Sequence, residues 1–317
     1  MKILIITQGL SRVVQPLISS GHEIVGVLDN LQRVEQLKKP KILMLISFFW
    51  NKLSNRTSLE SFCKNKNIEY RIMKNCNDVG LEDWINKLKP DLIVVYSMSS
   101  LLSKFIFSIP KFGTINLHPA YLPDYRGPNP CFWQYYDMEL NPGATVHYIN
   151  EGEDLGDIIY QQRINIELGI KSKERLDKLI SELGVNLLIK AINNIELGIA
   201  PRIVQDLKSK TVRARNIKKF EHSNIINWNV WEGIKIWHVL RGTEDWLNVI
   251  PQPKGIYKNT RWLIGNFEKN DIKDYTVGDI YNLNGQFKLI TKDGFINLHK
   301  KFSLINLIKN ILRFDFK

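Results

Sequence analysis

Between Asp91 and Tyr96 the chain reads Leu-Ile-Val-Val, apolar without interruption, which commits this segment to a strand covered on both faces. Such a strand needs helices on either side of its sheet, so the surrounding chain must alternate strands and helices. It does. Lys2 to Thr7 is a short β-branched run, a helical pattern occupies Ser11 to Ser20, Gly21 fits the left-handed stop after it, and a second apolar run spans Ile24 to Leu28. Helices are predicted over Leu59 to Asn65, Leu81 to Leu88 and Leu101 to Phe107, with strands over Ile68 to Ile72, Gly113 to Leu117, Ala144 to Ile149 and Ile158 to Ile166. A long helix over Lys173 to Leu197 closes this part at Gly198-Ile-Ala-Pro201.

The predicted class is therefore α/β: a doubly wound, Rossmann-like sheet domain over residues 1–203. A smaller, mainly β domain with a linker helix follows over 204–317. Arg202 to His222 is polar and basic and reads as a surface linker. Asn227 to Leu240 carries Trp228, Val230, Trp231, Ile234, Trp237 and Leu240 at helical spacing, a core-facing stripe. Short runs at Trp262 to Ile264, Thr276 to Tyr281, Phe287 to Thr291 and Gly294 to Leu298, broken by Gly or Asn, predict a small β-barrel.

Several functional classes are disfavoured. The turn Gln8-Gly9-Leu10 lacks the glycine pattern that lets a backbone close on a pyrophosphate, so a dinucleotide cofactor is not expected. The longest apolar stretch, Ile42 to Trp50, falls short of the roughly 20 residues a membrane span needs. Met1-Lys2 leads straight into Ile-Leu-Ile-Ile, a first strand rather than a signal peptide, and a cytoplasmic location is expected. Cys63, Cys76 and Cys131 lack metal or disulfide spacing, so reduced thiols and no metal are expected.

Chemistry concentrates in two segments. Asn116 and His118 stand two apart on a predicted strand that Pro119 ends, so an amide and an imidazole project to the same side. Glu151-Gly-Glu-Asp-Leu-Gly-Asp157 places carboxylates in a glycine-bordered loop between two strands. On a doubly wound sheet, Tyr96-Ser97, His118 and Glu151 to Gly156 would all lie at the carboxyl ends of strands, where ligands gather. Acyl transfer to an amine suits this set. The amide can steady the oxyanion, the imidazole can move a proton, and a carboxylate such as Asp154 can support the charged ring. His147, in mid-strand, reads as packing.

These residues resemble those of the enzymes that use N10-formyltetrahydrofolate as formyl donor. The likeness rests on Asn116-x-His118-Pro119, on Leu122-Pro-x-Tyr-Arg-Gly127, on Gly143-x-Thr-Val-His147 and on Asp154-x-Gly156 before Ile158-Ile159. It covers most of residues 1–205. The resemblance implies catalytic Asn116, His118 and Asp154. It places Tyr96, Ser97, Met98, Leu101, Leu155 and Gly156 against the folate, and Tyr121, Arg126, Gly127 and Asn129 on the acceptor side. In the C-terminal third, Thr276-Val-Gly-Asp279 and Lys292-Asp-Gly294 resemble the OB-type barrel appended to some members.

Two acceptors compete. The methionyl-tRNA enzymes resemble one another in a Gly-Thr-Pro-Asp-Phe segment and a basic glycine-containing loop. Here Gln8-Gly-Leu-Ser-Arg12 and Asn30-Leu-Gln-Arg-Val34 stand instead, and Trp133 is more like the amino-sugar enzymes. A nucleotide-linked 4-amino sugar, of the kind used in lipopolysaccharide or O-antigen synthesis, is the expected acceptor. Against it, residues 201–317 hold 21 Lys and Arg and 11 Asp and Glu, a surplus of +10 out of the chain's +12. That suits a polyanion such as tRNA, a nucleotide diphosphate or a membrane surface, or else plain solvated lysines. Nucleic acid is thus a partner only if the acceptor is tRNA. A non-catalytic ligand-binding relative is the reading from another class. A homodimer is carried as a further expectation, and the tail from Phe302 to Phe316 as an amphipathic helix docked on its own protein or touching a membrane.

Overall fold

The computed structural model describes residues 1–30, 58–73, 78, 80–98, 100–258, 260–271 and 274–302, with backbone alone at 172–175 and 177. The readings for Ile42 to Trp50, for residues 31–34, for Cys76 and for nearly all of the tail lie outside them. The chain divides into two compact units. The first comprises 1–128, 143–163 and 179–213, and the second 129–142, 164–178 and 214–317.

In the first unit seven strands form one sheet: β1 (Lys2–Thr7), β2 (Glu23–Asp29), β3 (Glu69–Ile72), β4 (Leu92–Val95), β5 (Thr114–His118), β6 (Gly143–Tyr148) and β7 (Ile158–Arg163). Their spatial order is β3-β2-β1-β4-β5-β6-β7. The first five run parallel, and β1 pairs with both β2 and β4, so the order reverses there as at a doubly wound switch point. All four residues of β4 are buried, as its apolar run requires. The helix Leu81–Leu88 shows why its sequence folds locally: Glu82 and Asp83 favour the positive N-terminal end, Lys87 the negative end, and Leu81 and Ile85 share one buried face. That face joins Leu4, Ile6, Leu28, Ile93, Val95 and Ile106 in one cluster. The opposite face of β5 is closed by the helix Ser172–Glu196, whose Gly184 approaches so closely that a Cβ would lie 2.7 Å from Cδ1 of Leu117.

Strands β6 and β7 are antiparallel to their neighbours, which makes the sheet mixed. This moves one expected feature. Ile115 pairs with Tyr148, and Ile149 N–H donates to Thr114 O, so the loop after β6 leaves near the start of β5 rather than beside its carboxyl end. Its residues reach the middle and end of β5 only by folding back along the sheet face.

The second unit contains an antiparallel sheet of β8 (Trp262–Lys269), β11 (Gly294–Lys300), β10 (Gln286–Thr291) and β9 (Ile280–Leu283), in that order among the described residues. Asn284 and Gly285, at φ 51 and 82, form the two-residue turn joining β9 to β10, where both central residues need positive φ. The helix Gly233–Thr243 covers this sheet with Ile236 and Leu240 against Ile264, Leu289, Ile296 and Leu298. Several elements depart from the sequence reading: the helices expected from Ser11 and Leu101 begin only at Val14 and Lys104, and the strand expected from Thr276 begins at Ile280. Pro130–Tyr136 is a helix with six of its seven residues buried, and the aromatic stripe from Asn227 becomes helical only at Gly233.

Candidate active site

Asn116 and His118 occupy one face of β5. Antiparallel pairing sets His147 opposite Asn116 and Thr145 opposite His118, so four polar side chains share that face. Thr145 anchors the segment that follows β5: its hydroxyl donates to Ala120 O at 2.7 Å and accepts from Leu122 N–H at 3.1 Å. Gln161, its partner on β7, donates to Leu122 O at 3.1 Å. Thus anchored, the segment carries Tyr125 to the imidazole, and His118 Nε2 lies 3.0 Å from the Tyr125 carbonyl. A carbonyl only accepts, so Nε2 bears the proton and Nδ1 presents a lone pair.

That Nδ1 stands 3.6 Å from Oδ2 of Asp154, and Asn116 Nδ2 stands 3.5 Å from Oδ1 of the same carboxylate. The second oxygen also accepts from Gly127 N–H at 2.9 Å. Asp154 holds a left-handed φ of 53. Two residues on, a Cβ on Gly156 would lie 1.8 Å from Tyr148 O, so only glycine lets the loop lie this close to β6. His147 completes the group. Its Nδ1 is 2.8 Å from Tyr148 O and so carries the proton, and its Nε2 therefore accepts from Asn116 Nδ2 at 3.2 Å. One amide hydrogen of Asn116 is thereby held on His147, while the other has only the longer contact to Asp154.

Burial shapes the electrostatics. His118 is 4% exposed, and loss of solvent moves its ring toward the neutral form, opposed by Asp154. Burial also works against charge on Asp154, but the Gly127 N–H favours it, as do His118 and His147 whenever either ring is protonated, and together they hold the carboxyl well below the usual range. The resting site is a neutral imidazole facing a half-buried carboxylate. Such a ring takes a proton at Nδ1, and the resulting cation lies between Asp154 and the Tyr125 carbonyl.

The other expected residues are placed as follows. Val95 is the register partner of Asn116, so Tyr96, Ser97 and Met98 leave β4 immediately beside Asn116 and His118. The Tyr96 hydroxyl lies 3.0 Å from Ser181 Oγ on the helix covering the opposite face, so its side chain points away from Asn116 and His118. Ser97 is exposed at φ 60, Met98 is half-buried against the β1–β4 core, and Leu101 is 60% exposed. Leu155 and Gly156 follow Asp154 directly, half-buried and buried. Tyr121 lies under the Arg163 guanidinium, 4.1 Å from its ring centroid. Arg126 spends its guanidinium on Gln205, Asp206 and Leu207, whereas Asn129 begins the second unit and donates from its N–H to Ala214 O at 2.8 Å. The structure brings together Asn116, His118, Asp154 and Gly127. To these it adds His147, which only the register of β6 reveals, and Thr145. Among the described residues no group of three or more His, Cys, Asp or Glu is set to hold a metal ion, and no helix is long and apolar enough to cross a membrane.

Comparison with known proteins supplies the remaining findings. Residues 2–192 match the protein family described as Formyl transferase. The chain is 35% identical over 221 residues to the methionyl-tRNA formyltransferase of Clostridium tetani, spanning 69% of this chain and 68% of that one. Its fold is similar to the N-formyltransferase from Helicobacter canadensis solved with folinic acid and dTDP-3-aminofucose, at a TM-score of 0.61 and 17% identity over 95% of this chain and all of that one. It is likewise similar to WlaRD, a sugar 3N-formyl transferase, at 0.59 and 18% over 96% of this chain and 99% of that one.

Proposed function

We propose, since this chain belongs to the formyl transferase family, that it moves a formyl group from N10-formyltetrahydrofolate to the amine of a nucleotide-linked amino sugar. That it is an N-formyltransferase drawing on a folate-type donor follows from the membership itself. The observation that carries the mechanism is the meeting of Asn116, His118 and Asp154, whose reactive atoms lie within 3.6 Å of the shared carboxylate.

In this reading the acceptor nitrogen attacks the formyl carbon, forming the new C–N bond. Its proton passes to Nδ1 of His118, where the cation gains the attraction of Asp154 while Nε2–H stays on Tyr125 O. The oxyanion takes the Asn116 N–H that His147 does not hold, in place of its longer contact to Asp154. Collapse breaks the bond to N10 of the folate, and His118 returns the proton to that leaving nitrogen. Tyr96, Ser97, Met98, Leu101, Leu155 and Gly156 flank the catalytic row on two loops and form the proposed folate side. Tyr121, Gly127 and Asn129 are proposed for the acceptor, and Arg126 serves it through the loop it ties down.

The sugar reading is supported by Gln8-Gly-Leu-Ser-Arg12 where tRNA-directed members carry another segment, and by full-length similarity to folds that act on amino sugars. Trp133 is buried, with its indole N–H on Arg215 O at 2.8 Å, so its part is structural within the second unit. Methionyl-tRNA is the second reading, favoured by the relative at 35% identity and by the basic C-terminal third. The test is incubation with N10-formyltetrahydrofolate and a panel of amino-sugar nucleotides beside methionyl-tRNA, read by mass for one added formyl unit. Transfer to tRNA alone overturns the sugar acceptor. Binding tested against salt separates them again, because six to ten phosphate contacts weaken about 10³–10⁵-fold between roughly 50 and 200 mM salt.

A further inference from the structure

We propose that Gln205 is a positioning residue for this transfer, a carboxamide that clamps the loop carrying Tyr125 to Gly127 onto the loop carrying Asp154 to Gly156. The proposal rests on the roles given above to His118 and Asp154. It begins with a segment whose sequence reads as a solvated linker. From Ile203 to Arg213 the main chain instead runs as a strap along the first unit: Ile203 bridges Ile158 beside β7, and Gln205, Lys210, Thr211 and Arg213 then contact loops of the active site.

Gln205 is the centre of this strap and is only 6% exposed. Its Oε1 accepts from Nη2 of Arg126 at 2.8 Å. Its Nε2 donates to the carbonyls of Asp154 at 2.9 Å and of Gly156 at 2.6 Å. One acceptor and two donor hydrogens are thus all engaged, and burial leaves no water to replace them. The contacts close a ring through the site. Asp154 Oδ2 accepts from Gly127 N–H, Gly127 follows Arg126, Arg126 donates to Gln205, and Gln205 donates back to the Asp154 carbonyl. Asp154 keeps its left-handed φ inside that ring, a conformation that persists for a non-glycine residue where the surroundings impose it.

The rest of the strap grips the same two loops. Thr211 Oγ1 accepts from Tyr125 N–H at 2.7 Å, Lys210 N–H donates to Asp124 Oδ1 at 2.9 Å, and Arg213 Nη2 donates to Glu153 Oε1 at 2.8 Å. Tyr125 and Asp154 are the two residues between which the His118 ring is held. The strap therefore fixes both walls of the imidazole without touching it. Chemistry selects glutamine at its centre: glutamate would turn a carboxylate toward two carbonyls, and methionine fills the same length but donates nothing.

The test uses Gln205→Met, with Lys208→Ala on the exposed part of the strap as control. The first readout is the titration of the His118 ring followed by NMR in histidine-labelled protein. Burial lowers the His118 midpoint and Asp154 raises it, so loosening the two walls moves the midpoint away from its wild-type value, whereas a general loss of stability leaves it in place. The second readout is transfer kinetics at saturating folate: kcat falls about 10–100-fold, as expected when the reacting groups are displaced. Lys208→Ala matches wild type in both. A Gln205→Met protein with wild-type titration and wild-type kcat overturns the proposal. Should Gln205→Met fail to fold, Gln205→Asn, which keeps the amide but shortens its reach, is read by the same two measurements. The titration needs no acceptor, so wild-type protein that formylates nothing defeats the transfer reading alone, and the His118 midpoint still decides the clamp.

Discussion

Replacing Asp154 with Asn removes a charge and keeps a shape. The Asn Oδ1 can still accept from Gly127 N–H, as Asp154 Oδ2 does at 2.9 Å, so the loop retains its anchor. What disappears is the attraction for the cation formed when His118 takes the amine proton. Two unit charges 3.6 Å apart at an effective dielectric of about 20 attract by roughly 4–5 kcal/mol, of which the amide dipole recovers a part. A net loss of about 3–4 kcal/mol in the transition state corresponds to a kcat lower by about 10²–10³-fold. Initial rates of N-formyl product, measured by mass across pH, give this number. They also give a second: without the carboxylate the His118 midpoint falls, so the acid limb of kcat/KM moves to lower pH. A variant within about threefold of wild type, with an unmoved acid limb, would refute the assignment of Asp154 as the partner of the charged ring.

Other outcomes follow from the same geometry. Because the folded-state value of Asp154 is depressed, its contribution to stability is present above about pH 4 and is lost as pH falls toward the folded value. Asp154→Asn therefore unfolds with less dependence on pH below about 4 than wild type in urea titrations. Gly156→Ala drives a methyl group into Tyr148 O and is expected to cost at least about 1–3 kcal/mol in urea unfolding, with kcat reduced because Asp154 shares the loop. In the second unit His238 is fully buried, its Nδ1 accepts from Gly169 N–H at 2.8 Å, and burial pushes its ring down to about 4. Its stabilisation is complete above about pH 6.5 and declines by about 3 kcal/mol as pH falls through 4, a slope that His238→Gln flattens in the same titration.

Much of this fold is legible in the sequence because local rules and tertiary demands agree. The apolar run of β4 can only be a doubly covered strand, and the helices Leu59–Asn65 and Leu81–Leu88 begin and end where their apolar spacing and terminal charges place them. Strand direction is a different matter. Gly143–Tyr148 carries β-branched and aromatic residues that suit either orientation, so its antiparallel pairing, and with it the placement of His147 opposite Asn116, depends on contacts made only in the folded sheet. Pro130–Tyr136 has six of seven residues buried and hence no polar face whose period could announce a helix. Asn116 and His118 are visible as a pair because a strand sets residues two apart on one side. Gln205 is invisible for the opposite reason: its partners Arg126 and Asp154 are 79 and 51 residues away, and a lone glutamine among Arg, Lys and Asp looks like solvent-facing chain.

The central claim is that His118, held between Tyr125 and Asp154, carries the proton of the attacking amine. Single-turnover transfer from N10-formyltetrahydrofolate by wild type and by His118→Gln, with whichever amine the wild type formylates, tests it most directly. Formation of the N-formyl product at least about 10²-fold slower in the variant, with folate binding retained, is the predicted result. Product formed by the variant at the wild-type rate would contradict the account.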